Sequence, residues 1–193
     1  KDGFVWVADL GTDEISCYEL DEEGKPGECA ASVFLEAGSG PRSFAFSQAG
    51  NMVYVTCELK NRVAVYRWEK EERRLSFVQM VSSLPEEDAG VGSSIGGIVI
   101  SDDGRYIYVG NRGADTIGVF AVDNDGLLSP VQWISSEGKN PRGFTLAPSG
   151  GWLLAANQDS DNLVVFEREP DTGLLRKKKV YEAGAVVCLL FAE

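Results

Sequence analysis

The sequence predicts an all-β chain, a β-propeller built from four-stranded antiparallel blades. Three observations carry that prediction. Four segments align along the chain, beginning at residues 8, 56, 110 and 156, so that they recur every 46 to 54 residues. A second element, an apolar strand running into a Gly-containing turn, precedes each of the later three. No stretch sustains the 3.6-residue apolar period of a helix. Four short strands in each repeat of this length are the signature of a propeller blade.

The aligned segments open with Ala8-Asp9-Leu10, Thr56-Cys57-Glu58, Gly110-Asn111-Arg112 and Ala156-Asn157-Gln158. In each, a β-rich run such as Val53-Tyr54-Val55 ends in a polar turn and restarts as an alternating strand such as Val63-Ala64-Val65-Tyr66. The sixth position is Asp13, Asn61, Asp115 or Asp161. Short Asp and Asn side chains bond nearby backbone amides and tolerate turn conformations, so this position reads as a hairpin device. First strands and their Gly turns follow at 41–50, 95–104 and 141–150, and fourth strands at 31–35, 75–82, 128–135 and 174–181. The whole of 1–193 is expected to be one propeller domain or part of one, with blade units near 1–38, 39–88, 89–138 and 139–184 and a closing strand in 185–193. The first unit opens at its second strand, Phe4–Ala8, and the apolar run 185–191 stands where another first strand would. Two arrangements satisfy this: a four-bladed ring closed by that last strand, or the C-terminal part of a larger ring. The abrupt start favours the second.

Eighteen Lys and Arg against thirty Asp and Glu leave a net charge of −12. Such a surface repels phosphodiester backbones and anionic lipid, so neither nucleic acid nor membrane is an expected partner. With no histidine in the chain there is no Ser-His-Asp triad and no His-ligated zinc within it. No metal or other cofactor is expected. No apolar run approaches the roughly 18 residues of a membrane span, and Lys1-Asp2-Gly3-Phe4 does not read as a signal peptide. Cys17, Cys29, Cys57 and Cys188 lack CxxC spacing, and three of them lie in apolar runs. Buried free thiols and a reducing cytoplasm are the expectation.

Gly40-Pro41-Arg42, Cys57-Glu58-Leu59, the run from Ser101 to Gly113, Asn140-Pro141-Arg142-Gly143-Phe144 and the run from Ala155 to Asn162 together resemble the bacterial lactonase family. Its members are seven-bladed propellers acting on sugar lactones such as 6-phosphogluconolactone, and a fungal carboxy-muconate lactonizing enzyme shares the fold. The resemblance covers essentially all 193 residues in order and implies the C-terminal four-sevenths of such a ring. It implies an active-site histidine just upstream of the equivalent of Asp2-Gly3-Phe4, and it maps the family's remaining arginine, glutamate and second arginine onto Arg42, Glu58 and Arg112 as catalytic residues. Where many relatives carry Glu-Ile-His, this sequence has Gly97-Ile98-Val99.

Blade topology supports the same residues independently. In an up-and-down blade the loop leading into the first strand and the loop joining the second to the third share one face. That brings Arg42, Glu58, Arg112, Arg142 and Gln158 around one mouth of the channel, with Asn157 beside them. Arg142, Gln158 and Asn157 are therefore candidate substrate ligands, although Asn111 and Asn157 also suit hairpin backbone groups. Guanidinium forks match phosphate, carboxylate or a developing oxyanion, while Glu58 can either activate water or orient the arginines. The alternating Arg176-Lys177-Lys178-Lys179 reads as protection of an outer strand, and the four tryptophans read as packing. The expected activity is hydrolysis of a sugar lactone, 6-phosphogluconolactone to 6-phosphogluconate above others, with weak or no turnover by these 193 residues alone. The competing reading is a non-enzymatic propeller that binds a small anionic ligand or a protein.

Overall fold

The computed structural model describes residues 3–88 and 90–191. Among them, strands β1 (Phe4–Asp9), β2 (Glu14–Leu20) and β3 (Pro26–Phe34) form a three-stranded antiparallel sheet. Three four-stranded sheets follow in chain order. The first holds β4 (Pro41–Phe46), β5 (Met52–Cys57), β6 (Arg62–Glu69) and β7 (Arg74–Ser82), and the second β8 (Ser94–Ile100), β9 (Tyr106–Arg112), β10 (Thr116–Val122) and β11 (Leu128–Ser135). The last holds β12 (Pro141–Leu146), β13 (Trp152–Asn157), β14 (Asn162–Arg168) and β15 (Leu175–Glu182). Only two short 3₁₀ turns, Glu86–Asp88 and Gln158–Ser160, interrupt the β structure of the described residues. No helix among them is long and apolar enough to cross a membrane.

The core lies between the sheets. Val53, Val55, Ala64 and Tyr66 face the three-stranded sheet and pack with Phe4, Ile15 and Cys17. The alternate residues Tyr54, Val63 and Val65 face the sheet of β8–β11 and meet Ile95, Ile107 and Val109. Tyr108, Ile117 and Val119 then meet Leu153, Val164 and Phe166. A strand buried on both faces cannot alternate apolar with polar, which is why β5 reads as the continuous run Met-Val-Tyr-Val-Thr-Cys. Each such Val or Ile contributes about 1.5–3 kcal/mol by leaving water.

Every hairpin residue at the sixth repeat position is left-handed, with φ of 59° at Asp13, 51° at Asn61, 54° at Asp115 and 51° at Asp161. Three of these side chains also reach the following blade. Asp13 accepts from the amides of Gly38 and Gly40, Asp115 accepts from the amide of Asn140 at 2.8 Å, and Asn61 donates to the Ser93 carbonyl at 2.9 Å. The hairpin device thus doubles as a tie between blades. A register shift falls at one matched place in all four sheets, on β2, β6, β10 and β14, at Cys17/Tyr18, Val65/Tyr66, Val119/Phe120 and Val165/Phe166. Bulges increase local twist, and twist is what turns each outer strand away from the channel.

Two expectations need correction. Residues 185–191 form no strand, although they pass close to β12: the Val187 carbonyl stands 2.6 Å from where a Cβ on Gly143 would be, and residues 192 and 193 of the expected closing strand lie outside the described residues. Apolar character alone does not make a strand; a ladder partner is required, and the described residues offer none there. The thiols also divide differently. All four are free, but only Cys17 and Cys57 are buried, while Cys29 and Cys188 are exposed.

Candidate active site

The first strands β4, β8 and β12 lie side by side at the channel. Near the start of each the pairing with the second strand slips, between Pro41 and Phe44, between Ile95 and Ile98, and between Pro141 and Gly143. Arg42, Gly96 and Arg142 occupy these irregular stretches, where a bulge re-aims a side chain out of the sheet. Gly96 has no side chain for a packing reason: a Cβ there would come within 2.8 Å of the Pro141 carbonyl.

Glu58 opens the β5–β6 hairpin with its backbone fixed on both sides. Its amide donates to Gly40 O at 2.8 Å and its carbonyl accepts from Ile95 N at 3.2 Å. The side chain is gripped by two arginines. Arg42 Nη1 reaches Oε2 at 2.9 Å and Arg112 Nη2 reaches Oε1 at 2.6 Å, with only 15% of the Glu58 and Arg112 side chains exposed. The arginines are themselves oriented by carbonyls on β8, Arg42 Nε by Gly96 O at 3.1 Å and Arg112 Nη2 by Ile95 O at 3.1 Å. Nη2 of Arg42 and Nη1 of Arg112 carry no hydrogen bond to the described residues. The cluster therefore keeps cationic donors to spare, while each oxygen of its single carboxylate accepts from one arginine.

The same spacing recurs two repeats on. Arg142 Nη1 donates to Gln158 Oε1 at 3.1 Å, the counterpart of the Arg42–Glu58 pair, at an exposed place on the rim. Gln158 N donates to Asn140 O at 3.0 Å as Glu58 N does to Gly40 O. The neutral Gln leaves the charge of Arg142 unpaired. Asn157 does not join this group. It is wholly buried, and its amide donates to Ser136 O and Asn162 Oδ1, both at 2.9 Å. Asn111 does the same with Ser83 O at 2.9 Å. Asn157 is thus corrected from substrate ligand to hairpin tie, because the odd and even residues of one hairpin point in opposite directions.

Beside Arg112 the mouth continues into a cleft of about 500 Å³ bounded by Gly92, Ser93, Ser94, Asp115, Lys139 and Asp159. Sequence patterning puts Asp115 in a hairpin and assigns Lys139 and Asp159 no part. The topological rule that brings Arg142 to the mouth applies equally to the loop just before it, and that signal finds Lys139.

Successive four-stranded antiparallel sheets packed face to face are the blades of a β-propeller. The chain matches the family described as "Lactonase, 7-bladed beta-propeller" over residues 1–191 and belongs to that family. It is 38% identical over 175 residues to the 6-phosphogluconolactonase of Bacillus subtilis, covering 89% of this chain and 49% of that protein. Among solved structures it superimposes on a Lactobacillus plantarum protein with a TM-score of 0.94 at 31% identity, covering 98% of this chain and 55% of that one. The periplasmic gluconolactonase of Pseudomonas aeruginosa gives 0.84 at 35% identity, covering 95% and 52%. The chain spans about half the length of the curated relatives it matches.

Proposed function

We propose that these blades supply the cationic mouth of a hydrolase that opens a sugar lactone, with 6-phosphogluconolactone the leading substrate. The observation that carries the reading is the clasp of Glu58 between Arg42 and Arg112, with one guanidinium nitrogen on each arginine left free. Addition of water to the lactone carbonyl makes a tetrahedral oxyanion. Donors fixed in advance where that charge develops stabilise the transition state without reorganising. Arg42 Nη2 and Arg112 Nη1 are such donors. Glu58 holds both arginines in register, and a carboxylate with about four acceptor sites still has room to accept from the attacking water and take its proton. Collapse of the intermediate breaks the ring C–O bond, and the ring oxygen leaves with the proton that Glu58 took from the water. Arg142, whose partner is neutral, offers its charge to the phosphate.

The relatives named 6-phosphogluconolactonase and gluconolactonase support the reaction class. The chain holds no histidine to share the proton transfers, so a low kcat is expected. Hydrolysis is measured against an enzyme-free blank, because lactones open unaided. Arg112→Ala is expected to reduce kcat by about 10²–10³, and Arg142→Ala to raise KM for the phosphorylated lactone but not for gluconolactone. Rates equal to the blank, or unchanged in both Arg42→Ala and Arg112→Ala, would leave a binding module instead.

A further inference from the structure

The cleft next to Arg112 has a chemistry different from that of the mouth. We propose that it is a hydroxyl-reading subsite for the polyol chain of the substrate, in which Lys139 donates and Asp115 and Asp159 accept. The proposal rests on the lactonase reading of the mouth and extends it to the part of the molecule remote from the reacting carbonyl.

Donors and acceptors alternate around this cleft. Asp115 Oδ1 accepts from the amides of Gly113 at 3.2 Å and Asn140 at 2.8 Å, and Asp159 Oδ2 accepts from Asn140 Nδ2 at 3.1 Å. The second oxygen of each carboxylate has no partner among the described residues. Lys139 forms no ion pair with them, and Arg112 Nη1 is free. A sugar hydroxyl both donates and accepts, so a chain of hydroxyls satisfies carboxylate and ammonium together. A phosphate only accepts, so it would satisfy Lys139 and Arg112 but leave two carboxylate oxygens facing its own charge; an apolar group would strand every one of these atoms. Buried polar atoms without a partner also gather here. Ser93 Oγ, Arg112 Nε and Asn140 Oδ1 are three of the seven among the described residues, and all three residues line the cleft.

The walls are preformed. The connection from β7 to β8 spans 83–93, longer than its counterparts at 35–40 and 136–140, and the extra length builds one side. Its end is pinned by Asn61 Nδ2 to Ser93 O at 2.9 Å. It packs so tightly on Gly113, at φ of 93°, that a Cβ there would stand 2.3 Å from the Gly92 carbonyl. Arg112 belongs to both mouth and cleft, so one ligand can span the two.

The experiment is a binding titration of the protein with D-gluconate, the hydrolysed polyol acid. 4-Hydroxybutyrate, which keeps the carboxylate and lacks the polyol, is the control. Lys139→Ala and Asp159→Ala alter exposed side chains, and unchanged thermal midpoints certify their folds. Each is expected to weaken gluconate about three- to tenfold, the range of one lost hydrogen bond, and to leave 4-hydroxybutyrate unaltered. Gluconate binding that is unchanged in both variants, that is undetectable in the unaltered protein, or that falls in step with 4-hydroxybutyrate overturns the subsite. The readout is independent of turnover. Gluconolactone hydrolysis that is lost in Arg112→Ala but indifferent to Lys139 and Asp159 sinks the subsite and keeps the lactonase, whereas gluconate binding without hydrolysis does the reverse.

Discussion

Glu58 and its equivalents in the repeat show how one side chain separates function from scaffold. The third hairpin position holds Leu10, Glu58, Arg112 and Gln158, four residue types on matched backbone. Structural demands at that position are equal, so the variation tracks what each side chain meets across the mouth. At the second position the last two repeats agree instead: Asn111 and Asn157 make matched bonds to carbonyls of the preceding blade. Cysteine divides along the same line. Burial pushes the Cys17 and Cys57 thiols up to about 11, so both stay protonated and inert at neutral pH. A thiol-disulfide reagent at pH 8 is expected to label two thiols in the native protein, Cys29 and Cys188, and all four after unfolding. Rapid labelling of three or more in the native protein would contradict the packing between the first two blades.

Strand β8 is the element that joins the site's halves, and its adjacent glycines are not equivalent. At Gly96 an added Cβ meets the Pro141 carbonyl at 2.8 Å, while at Gly97 the nearest atom is a Phe144 ring carbon at 3.7 Å, ordinary contact. The Gly96 carbonyl also orients Arg42. Gly96→Ala is expected to cost about 1–3 kcal/mol by overpacking and to lower activity along with stability. Gly97→Ala is expected to stay within about 0.5 kcal/mol of the parent, as substitutions away from such constraints do. Urea unfolding distinguishes them, and equal midpoints for the two variants would refute the close approach of β8 and β12. The Gly97-Ile98-Val99 departure seen in the sequence thus begins at a glycine with room beside it, next to Gly96, a glycine that is required. Sequence alone could not tell them apart, because β12 lies more than forty residues away.

Across the whole molecule the blades are tied on both faces. Toward the mouth the ties are the Asp and Asn hairpins; on the opposite face they are buried phenols and one buried arginine. Tyr54 OH donates to Gly126 O at 3.2 Å and Tyr108 OH to Gly173 O at 3.0 Å, each to the next blade. Arg168 donates to Tyr108 OH at 2.7 Å and to Asp103 Oδ2 at 3.3 Å. Burial raises the Asp103 pKa, but hydrogen bonds from Ser101, Arg105 and Arg168 outweigh it and bring the carboxyl down to about 2. A carboxylate whose folded pKa is depressed contributes stability above its unfolded value of 3.8 and loses it as pH falls toward 2. Acid unfolding is expected to steepen across that window, and Asp103→Asn to flatten the acid limb while lowering the thermal midpoint at pH 7. An unchanged acid limb in that variant would remove Asp103 from the account.

Sequence by itself determined the repeat, the strands of each sheet, the Asp and Asn hairpins and the pairing of Arg42 with Glu58 and of Arg142 with Gln158 at matched positions of the repeat. Those features follow from period-two burial and local turn chemistry, which neighbouring residues encode. Tertiary structure decided that Glu58 is clasped by arginines from two blades, that Asn157 turns inward, and that Lys139 and Asp159 share a cleft with Arg112. Each of these depends on contacts between blades, whose spacing and twist are set by the packing of whole sheets and leave no periodic trace in the chain.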